Sequence, residues 1–356
     1  MAKKTEPVMG NDASTVRDVA ARAGVSASTV SRVLGGTYPV AASTRARVLK
    51  AMRELDYVVN AHARALGGST NKTVAFVVDD VTGPFYAHIA RGVEEQASAE
   101  GRLCMLCTTH GDPQRVLAVV ETMREQRADY AVIVVGGAWE DKAYQDRMTH
   151  FAHALDRVGS RLVLVGRPPL GPGVPATVVE YDNEGGAFAM TTHLLTSGHQ
   201  RIAYLGRVPG LSTSDQRLSG FRRAHELLGL APDPKLILDG TFSRSHGYQG
   251  ARQLLASGAD FTAVFAGTDM VAAGALQALR EAGVGVPDDV SVVGYDDDVP
   301  LALDLFPALT TVNVPHEELG RAAVRLALHR EELPGSQHLV LGTHIVLRDS
   351  TRRPGH

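Results

Sequence analysis

The chain has 356 residues, is 44% hydrophobic and carries a formal charge of −3, enough for one small domain plus a large core or for two medium ones. No apolar run reaches membrane-spanning length, the opening Met-Ala-Lys-Lys-Thr-Glu-Pro has no hydrophobic signal segment, and two cysteines give no disulfide framework. These features argue against a membrane protein and a secreted, disulfide-stapled one; the expectation is a cytoplasmic chain. Charge is spread unevenly: residues 1–70 hold ten Lys/Arg against five Asp/Glu, a balance of +5, which leaves −8 on residues 71–356. A basic head on an acidic body is the asymmetry expected when only the head meets phosphates.

After a tail over 1–13 that is expected to be disordered, Thr15 to Arg32 writes two short helices with a sharp turn between them. Thr15 can cap the first helix, and Val16, Val19 and Ala20 share one face of it. Gly24 supplies a left-handed turn position, and Ser26 caps a second helix in which Val30 and Val33 face inward. Ala27, Ser28, Ser31 and Arg32 are left facing out. Val48, Met52 and Leu55 mark a third helix from about residue 43 to 56, which completes a small core. The pattern is a helix-turn-helix presenting small polar groups and one Arg, as reading of a major groove requires; helical hairpins in bundles that bind no DNA are the alternative. Asn60 to Asn71 then reads as a tether, helical in its first half and ended by Gly67-Gly68.

From Thr73 onward nine short apolar runs alternate with amphipathic helices: 74–78, 103–107, 130–135, 162–165, 176–179, 202–205, 236–238, 263–265 and 290–293. Unbroken Val/Ile/Leu runs in such alternation predict parallel sheets covered on both faces. Nine runs are many for one sheet, and the Gly/Pro-rich 168–175 after the fourth reads as the crossing between two lobes. Such sheets bind ligands beyond the carboxyl ends of their strands, here in the cleft between lobes. Cys104 and Cys107 fall in a run read as a buried strand; three residues apart, they point to opposite faces and serve packing rather than redox or zinc chemistry. The fourteen histidines show no HExxH spacing, and there is no GxGxxG after a strand, no Walker loop and no GxSxG. Neither an enzyme nor a metal or cofactor is expected.

In Asp18-Val19-Ala20, Ala23-Gly-Val-Ser26, Thr29-Val-Ser-Arg-Val33, Thr44-Arg45, Leu55, Tyr57 and Asn60 the head resembles that of lactose-repressor-type (LacI/GalR) bacterial transcriptional regulators, and Ala63-Arg-Ala-Leu66 resembles their hinge helix. In the body, Gly83-Pro-Phe85, Asp182-Asn-Glu-Gly-Gly186, Ser197-Gly-His199, Arg217-Leu-Ser-Gly-Phe221, Thr268-Asp269, Val292-Val-Gly-Tyr-Asp-Asp297, Leu309-Thr-Thr-Val312 and Leu319-Gly320 match further blocks in order. The resemblance covers residues 14–352. It implies an N-terminal all-α helix-turn-helix headpiece over 14–59, a hinge over 60–72, and an α/β two-lobed periplasmic-binding-protein-like body with parallel sheets over 73–356. Lobe 1 takes about 73–172 and 314–340 and lobe 2 about 176–312 and 341–352. Three positions depart from the pattern: Val59 where Pro is common, Ala41 at the cap of the third helix, and Gly166 where an Asp often precedes Arg167.

The resemblance also implies roles. Ala27 and Ser28 take the principal base-reading positions, with Arg32 next, pairing with guanine or phosphate. Thr15, Ser26, Thr29, Ser31 and Asn60 are phosphate-contact candidates, although capping explains Thr15 and Ser26 equally well. Leu66 wedges into the minor groove, with helix packing as the alternative, and Ala63 in the same hinge is a further DNA-binding candidate. In the cleft Arg217 and Asp296 clamp the ligand's polar groups unless they form only a structural ion pair. Phe85 and Phe242 stack on the ligand or pack in the core, and Thr268 stands where relatives present Asn. Asp182, Asn183 and Asp269 are read as helix caps. The partners expected are a palindromic double-stranded operator, a second copy of the chain and a small effector, by default a sugar that relieves repression, with a purine corepressor as runner-up. A sugar-binding protein with no DNA role is the rival from another class. The C-terminal Thr351-Arg-Arg-Pro-Gly-His356 carries no leucine heptads, which speaks against tetramers by that route.

Overall fold

The capping and turn residues of the head place its helices as their chemistry dictates. In this computed structural model, which describes residues 14–35, 39–57, 73–125, 130–136, 141–329 and 338–354, the head holds α1 (Val16–Ala23), α2 (Ala27–Gly35) and α3 (Ala42–Glu54). Thr15 and Asp18 close a capping box at the start of α1, and Gly24 ends that helix at φ 64°. Val19, Ala20, Ala23, Val30, Val33, Val48 and Ala51 are buried together, with Met52, Leu55 and Tyr57 packed against them. Helix α3 begins at Ala41 without a side-chain cap. Residues 1–72 form one compact unit and 73–356 another. The expected tail and the hinge residues Asn60, Ala63 and Leu66 lie outside the described residues.

All nine apolar runs of the body form strands. In chain order the body holds β1 (Thr73–Val78), α4 (Pro84–Ala99), β2 (Leu103–Thr108), α5 (Pro113–Glu125), β3 (Tyr130–Val135), α6 (Lys142–Arg157), β4 (Arg161–Val165) and β5 (Ala176–Tyr181). There follow α7 (Asn183–Thr196), β6 (Ile202–Arg207), α8 (Ser212–Leu227), β7 (Ile237–Asp239), α9 (Arg244–Ala256), β8 (Ala263–Ala266), α10 (Asp269–Glu281) and β9 (Ser291–Val293). Last come α11 (Leu301–Asp304), β10 (Thr311–Asn313), α12 (His316–Leu328), β11 (His338–Leu341) and β12 (His344–Val346).

Two parallel sheets result, one ordered β11-β5-β4-β3-β1-β2 and one β7-β6-β8-β9, with an antiparallel β10-β12 pair beside the second. The expected crossing at 168–175 is corrected: β5 pairs in parallel with β4, so that Gly/Pro-rich stretch is a loop within the first sheet. The chain leaves for the second sheet only after Tyr181, and it passes again between β10 and α12 and between β11 and β12. Two of these passages are tied together, since the Asp182 N–H donates to the Leu341 carbonyl (3.0 Å) and the Thr343 hydroxyl to the Asp182 carbonyl (3.1 Å).

The strand holding both cysteines is also corrected. β2 is an edge strand, half-covered because only β1 flanks it, with Leu103 77% and Leu106 50% exposed. Cys104 packs into the core on one face of the sheet and Cys107 into the core on the other, as their spacing requires.

Candidate functional site

Two surfaces carry the residues singled out by the sequence. On the head, Ala27, Ser28, Ser31 and Arg32 are exposed on α2 and Thr29 is half-buried, so the outward face is the one the spacing predicts. Ser26 Oγ accepts from the Thr29 N–H (3.2 Å) and lies 2.8 Å from Ser28 Oγ and 2.9 Å from Thr29 Oγ1, a cluster of hydroxyls at the start of the helix. Thr15 Oγ1 accepts from the Asp18 N–H (3.4 Å), while Asp18 Oδ2 accepts from the Thr15 N–H and hydroxyl, both at 2.7 Å. Both residues serve as caps in the free head. Arg17, Arg32, Arg45 and Arg47 are exposed around these helices, whereas Arg22 is bound to Glu54 (2.7 Å).

The body holds a cavity of about 230 Å³ at the carboxyl ends of strands from both sheets. Its centre is Arg217 of α8, 1% exposed. Every arm of the guanidinium is held: Nε donates to Asn183 Oδ1 (2.9 Å), Nη1 to the Gly267 carbonyl (2.5 Å), and Nη2 to Asp296 Oδ1 (2.9 Å) and Tyr181 Oη (3.2 Å). The Tyr295 ring lies 3.8 Å from the guanidinium carbon and Phe242 5.5 Å, cation–π distances that add to the attraction. Burial works against the charge on Arg217, but Asp296 and the surrounding tyrosines more than offset it and hold the group above its ordinary range. Asp296 is pushed by burial up to about 6, with Arg217 pulling the other way, so the pair is ionised at neutral pH.

Asp296 sits at φ 116°, a backbone conformation that a residue with a β-carbon adopts at a cost. Hydrogen bonds from its N–H to the Val312 carbonyl (2.9 Å) and to its carbonyl from the Val314 N–H (3.2 Å) pin it there.

Of the predicted ligand residues, Phe85, Arg217, Phe242, Thr268 and Asp296 all line the cavity. The ion-pair and clamp readings of Arg217 and Asp296 coincide geometrically, since the two bond each other and still form its wall. Phe85 packs edge-on to Tyr86 and His316 (5.1 and 5.0 Å between centroids), and Thr268 caps α10 through the Val271 N–H (3.2 Å).

The cap reading is right in form for Asp182, which accepts from the Gly185 N–H, but not for two others. Asn183 is buried and its side chain bonds Arg217 and Gln216. Asp269 is fully buried, its carboxylate taking the Thr311 hydroxyl (2.6 Å) and the Asp298 N–H (2.8 Å). The cavity also brings in Asp79, Tyr86, Tyr181, Thr213 and Asp298, which the sequence reading missed. Asp79 directly follows the parallel strand β1 and Tyr181 ends β5, a signal that could have found them. Asp79 accepts from Thr109 Oγ1 (2.9 Å) and Tyr86 Oη (3.3 Å); at Gly136, φ 110°, a β-carbon would stand only 3.2 Å from the Tyr86 hydroxyl.

A three-helix head of helix-turn-helix form and a two-sheet body with a charged, aromatic-lined cleft define a DNA-binding regulator that responds to a small molecule. A profile of bacterial regulatory proteins, lacI family, matches residues 15–60, and one of the periplasmic binding protein-like domain matches 191–351. The transcriptional regulator DegA of Bacillus subtilis is 34% identical over 340 residues (95% of this chain, 98% of its own length), and the repressor PurR of Photobacterium profundum 33% over 341 (95% and 98%). Among solved structures, a regulator CelR–cellobiose complex matches with TM-score 0.69 at 34% identity (95% of this chain, 99% of that one). A lac repressor dimer bound to operator and the anti-inducer ONPF matches with TM-score 0.82 at 25% (96% and 100%). The chain belongs to the lacI family of bacterial regulatory proteins.

Proposed function

We propose that the chain is a dimeric repressor whose head holds a palindromic operator and whose cleft takes a small sugar-type effector that releases it. The observation that carries the proposal is the buried Arg217–Asp296 pair at the wall of a cavity flanked by Phe85 and Phe242. A guanidinium and a carboxylate side by side meet neighbouring hydroxyls, and the rings cover the apolar face of a sugar. A volume of about 230 Å³ lies below the usual range for ligand pockets, about 300–1,000 Å³, and suits a small ligand. The similarity to a cellobiose-bound regulator supports the sugar class.

Dimerisation is supported by the exposed leucines of the β2 edge, since an open edge with apolar side chains is a surface that a second chain covers. In this reading α2 enters the major groove with Ala27, Ser28 and Arg32 toward the bases. Thr15, Ser26, Thr29, Ser31 and Asn60 meet phosphates, and the Ala63–Leu66 stretch wedges the minor groove. Closing or opening of the two lobes on the ligand would respace the paired hinges and so set operator affinity. The repressor would act in the cytoplasm.

A gel shift with the DNA upstream of the chain's own gene, with and without sugars, tests this. Retardation relieved by a sugar is expected. No salt-sensitive retardation of any palindromic duplex would refute it. The second reading, a purine corepressor, is favoured by the two rings that a flat base would lie between and by the similarity to PurR; a purine that strengthens retardation would put it first.

A further inference from the structure

Three carboxyl groups, Asp269, Asp296 and Asp298, each 3% exposed or less, lie buried near one another, and Asp296 binds the guanidinium of Arg217. Two of them have hydrogen-bond partners: Asp296 Oδ1 binds Arg217, and Asp269 receives the Thr311 hydroxyl on one oxygen and the Asp298 N–H on the other. Asp298 differs. Its Oδ1 is buried without a hydrogen-bond partner, and the residue forms part of the cavity wall. A buried polar atom left unmade costs about 1–3 kcal/mol, and a ligand that supplies its partner recovers that cost. Among the described residues the other buried guanidinium of the body, that of Arg167, is turned to Tyr144 Oη (2.8 Å) and the Val135 carbonyl (3.4 Å).

We infer that Asp298 is a specificity-determining residue of the effector cleft, exchanging a hydrogen bond with a hydroxyl of an uncharged ligand, at an end of the cleft where the neighbouring carboxylates disfavour a phosphate or carboxylate. An anion placed there would face Asp296 on one wall and Asp79 on the other, with Arg217 already paired to Asp296. A hydroxyl both donates and accepts, so it satisfies this carboxyl with or without its proton. Burial and the neighbouring Asp296 lift the Asp298 carboxyl to about 8, which leaves it a proton to donate at neutral pH. The assignment rests on the cleft being the effector site, as proposed above.

The test is isothermal titration of the full chain with glucose, cellobiose and ribose, with glucose 6-phosphate and ribose 5-phosphate, and with adenine, guanine and hypoxanthine. A neutral sugar is expected to bind at least about tenfold more tightly than its phosphate ester, because a single buried hydrogen bond and like-charge repulsion each act on that scale. Asp298→Ala should weaken the neutral ligand about tenfold, and Asp298→Asn, which keeps an acceptor and donors in the same place, should hold it within about threefold. Circular dichroism establishes that the variants fold, and should Asp298→Ala not fold, the phosphate comparison on the unsubstituted chain still decides. A phosphate ester that binds as well as its parent sugar, or an Asp298→Ala chain of full affinity, would overturn the assignment. If only a purine binds, the sugar reading fails and Asp298 is judged by the same alanine comparison on that purine. Silence from every probe counts against both.

Discussion

Arg217 is bound on all sides before any ligand arrives, and that fixes what its removal must do. Asn183, Gly267, Tyr181 and Asp296 each accept from it, so alanine would strand an ionised carboxylate in a buried site. Breaking a buried pair by removing one partner typically costs about 3–5 kcal/mol. Arg217→Ala is therefore expected to lower the stability of the body by that order and to abolish effector binding, as read by urea unfolding and by isothermal titration. An unchanged urea midpoint would show that the pair is not held as described.

Lysine in place of Arg217 should also lose the effector, because a point charge cannot replace a planar fork that spans four acceptors. Arg217 and Asp296 were legible in the sequence because each falls in a recognisable block. Asn183 and Asp298 were not. An Asn after an Asp at a helix start reads locally as a cap, and only the fold brings Asn183 to Arg217. The third residue of an Asp-Asp-Asp run reads as solvated, and only the docking of the 296–298 loop on α10 buries it.

Helices pair in the body by removing side chains where they cross. A β-carbon built on Gly274 of α10 would lie 1.9 Å from the Arg244 carbonyl of α9, one on Gly247 of α9 2.0 Å from the Val271 carbonyl of α10, and one on Gly92 of α4 2.0 Å from the Glu317 carbonyl of α12. Backbone faces backbone at these points, so there is no flexible side chain to give way. Gly274→Ala is expected to destabilise the body despite the higher helix propensity of alanine, about 1 kcal/mol better in a free helix, because overpacking of this kind costs about 1–3 kcal/mol or more. Thermal unfolding of the full chain checks the sign: a raised Tm would show that α9 and α10 are not in such contact.

At the element scale the sequence revealed strand identity well and strand partnership poorly. Long Val/Ile runs such as 74–78 and 130–135 carry their own signal, whereas β10 and β12 are three residues each and depend on pairing with each other. The Pro/Gly-rich loop before β5 looks like a linker to a second lobe, yet β5 pairs with β4 just before that loop and with β11 from far along the chain.

The two units of the chain differ in the titratable groups they bury, and that difference sets how each answers to alkali. The described head carries no histidine and no buried carboxyl. In the body, burial and then Asp296 raise Asp298 to about 8; burial and then Asp296 also raise Asp269 well above the carboxylate range. Burial likewise pushes up the Cys104 and Cys107 thiols and the phenols of Tyr86, Tyr181, Tyr204 and Tyr295.

Each of these groups holds its proton more tightly folded than unfolded, so the folded state binds more protons and stability falls as pH rises. For Asp298 the loss runs from the unfolded value of 3.8 up through about 8, and the thiols and phenols continue it above that. The buried His199, His225 and His316 are shifted down by burial, His316 to about 3; their unfolded forms have lost most of their protons by pH 7, so they oppose the trend only slightly. Calorimetry of the full chain at pH 7 and pH 9 should therefore show the body melting lower at pH 9, with the head's helical signal little changed. Asp298→Asn, which has no proton to lose, should narrow the difference. A body equally stable at both pH values would mean that water reaches these carboxyls, and the walls of the cleft would then not be the dry, charge-crowded surface on which the discrimination between neutral and anionic ligands depends.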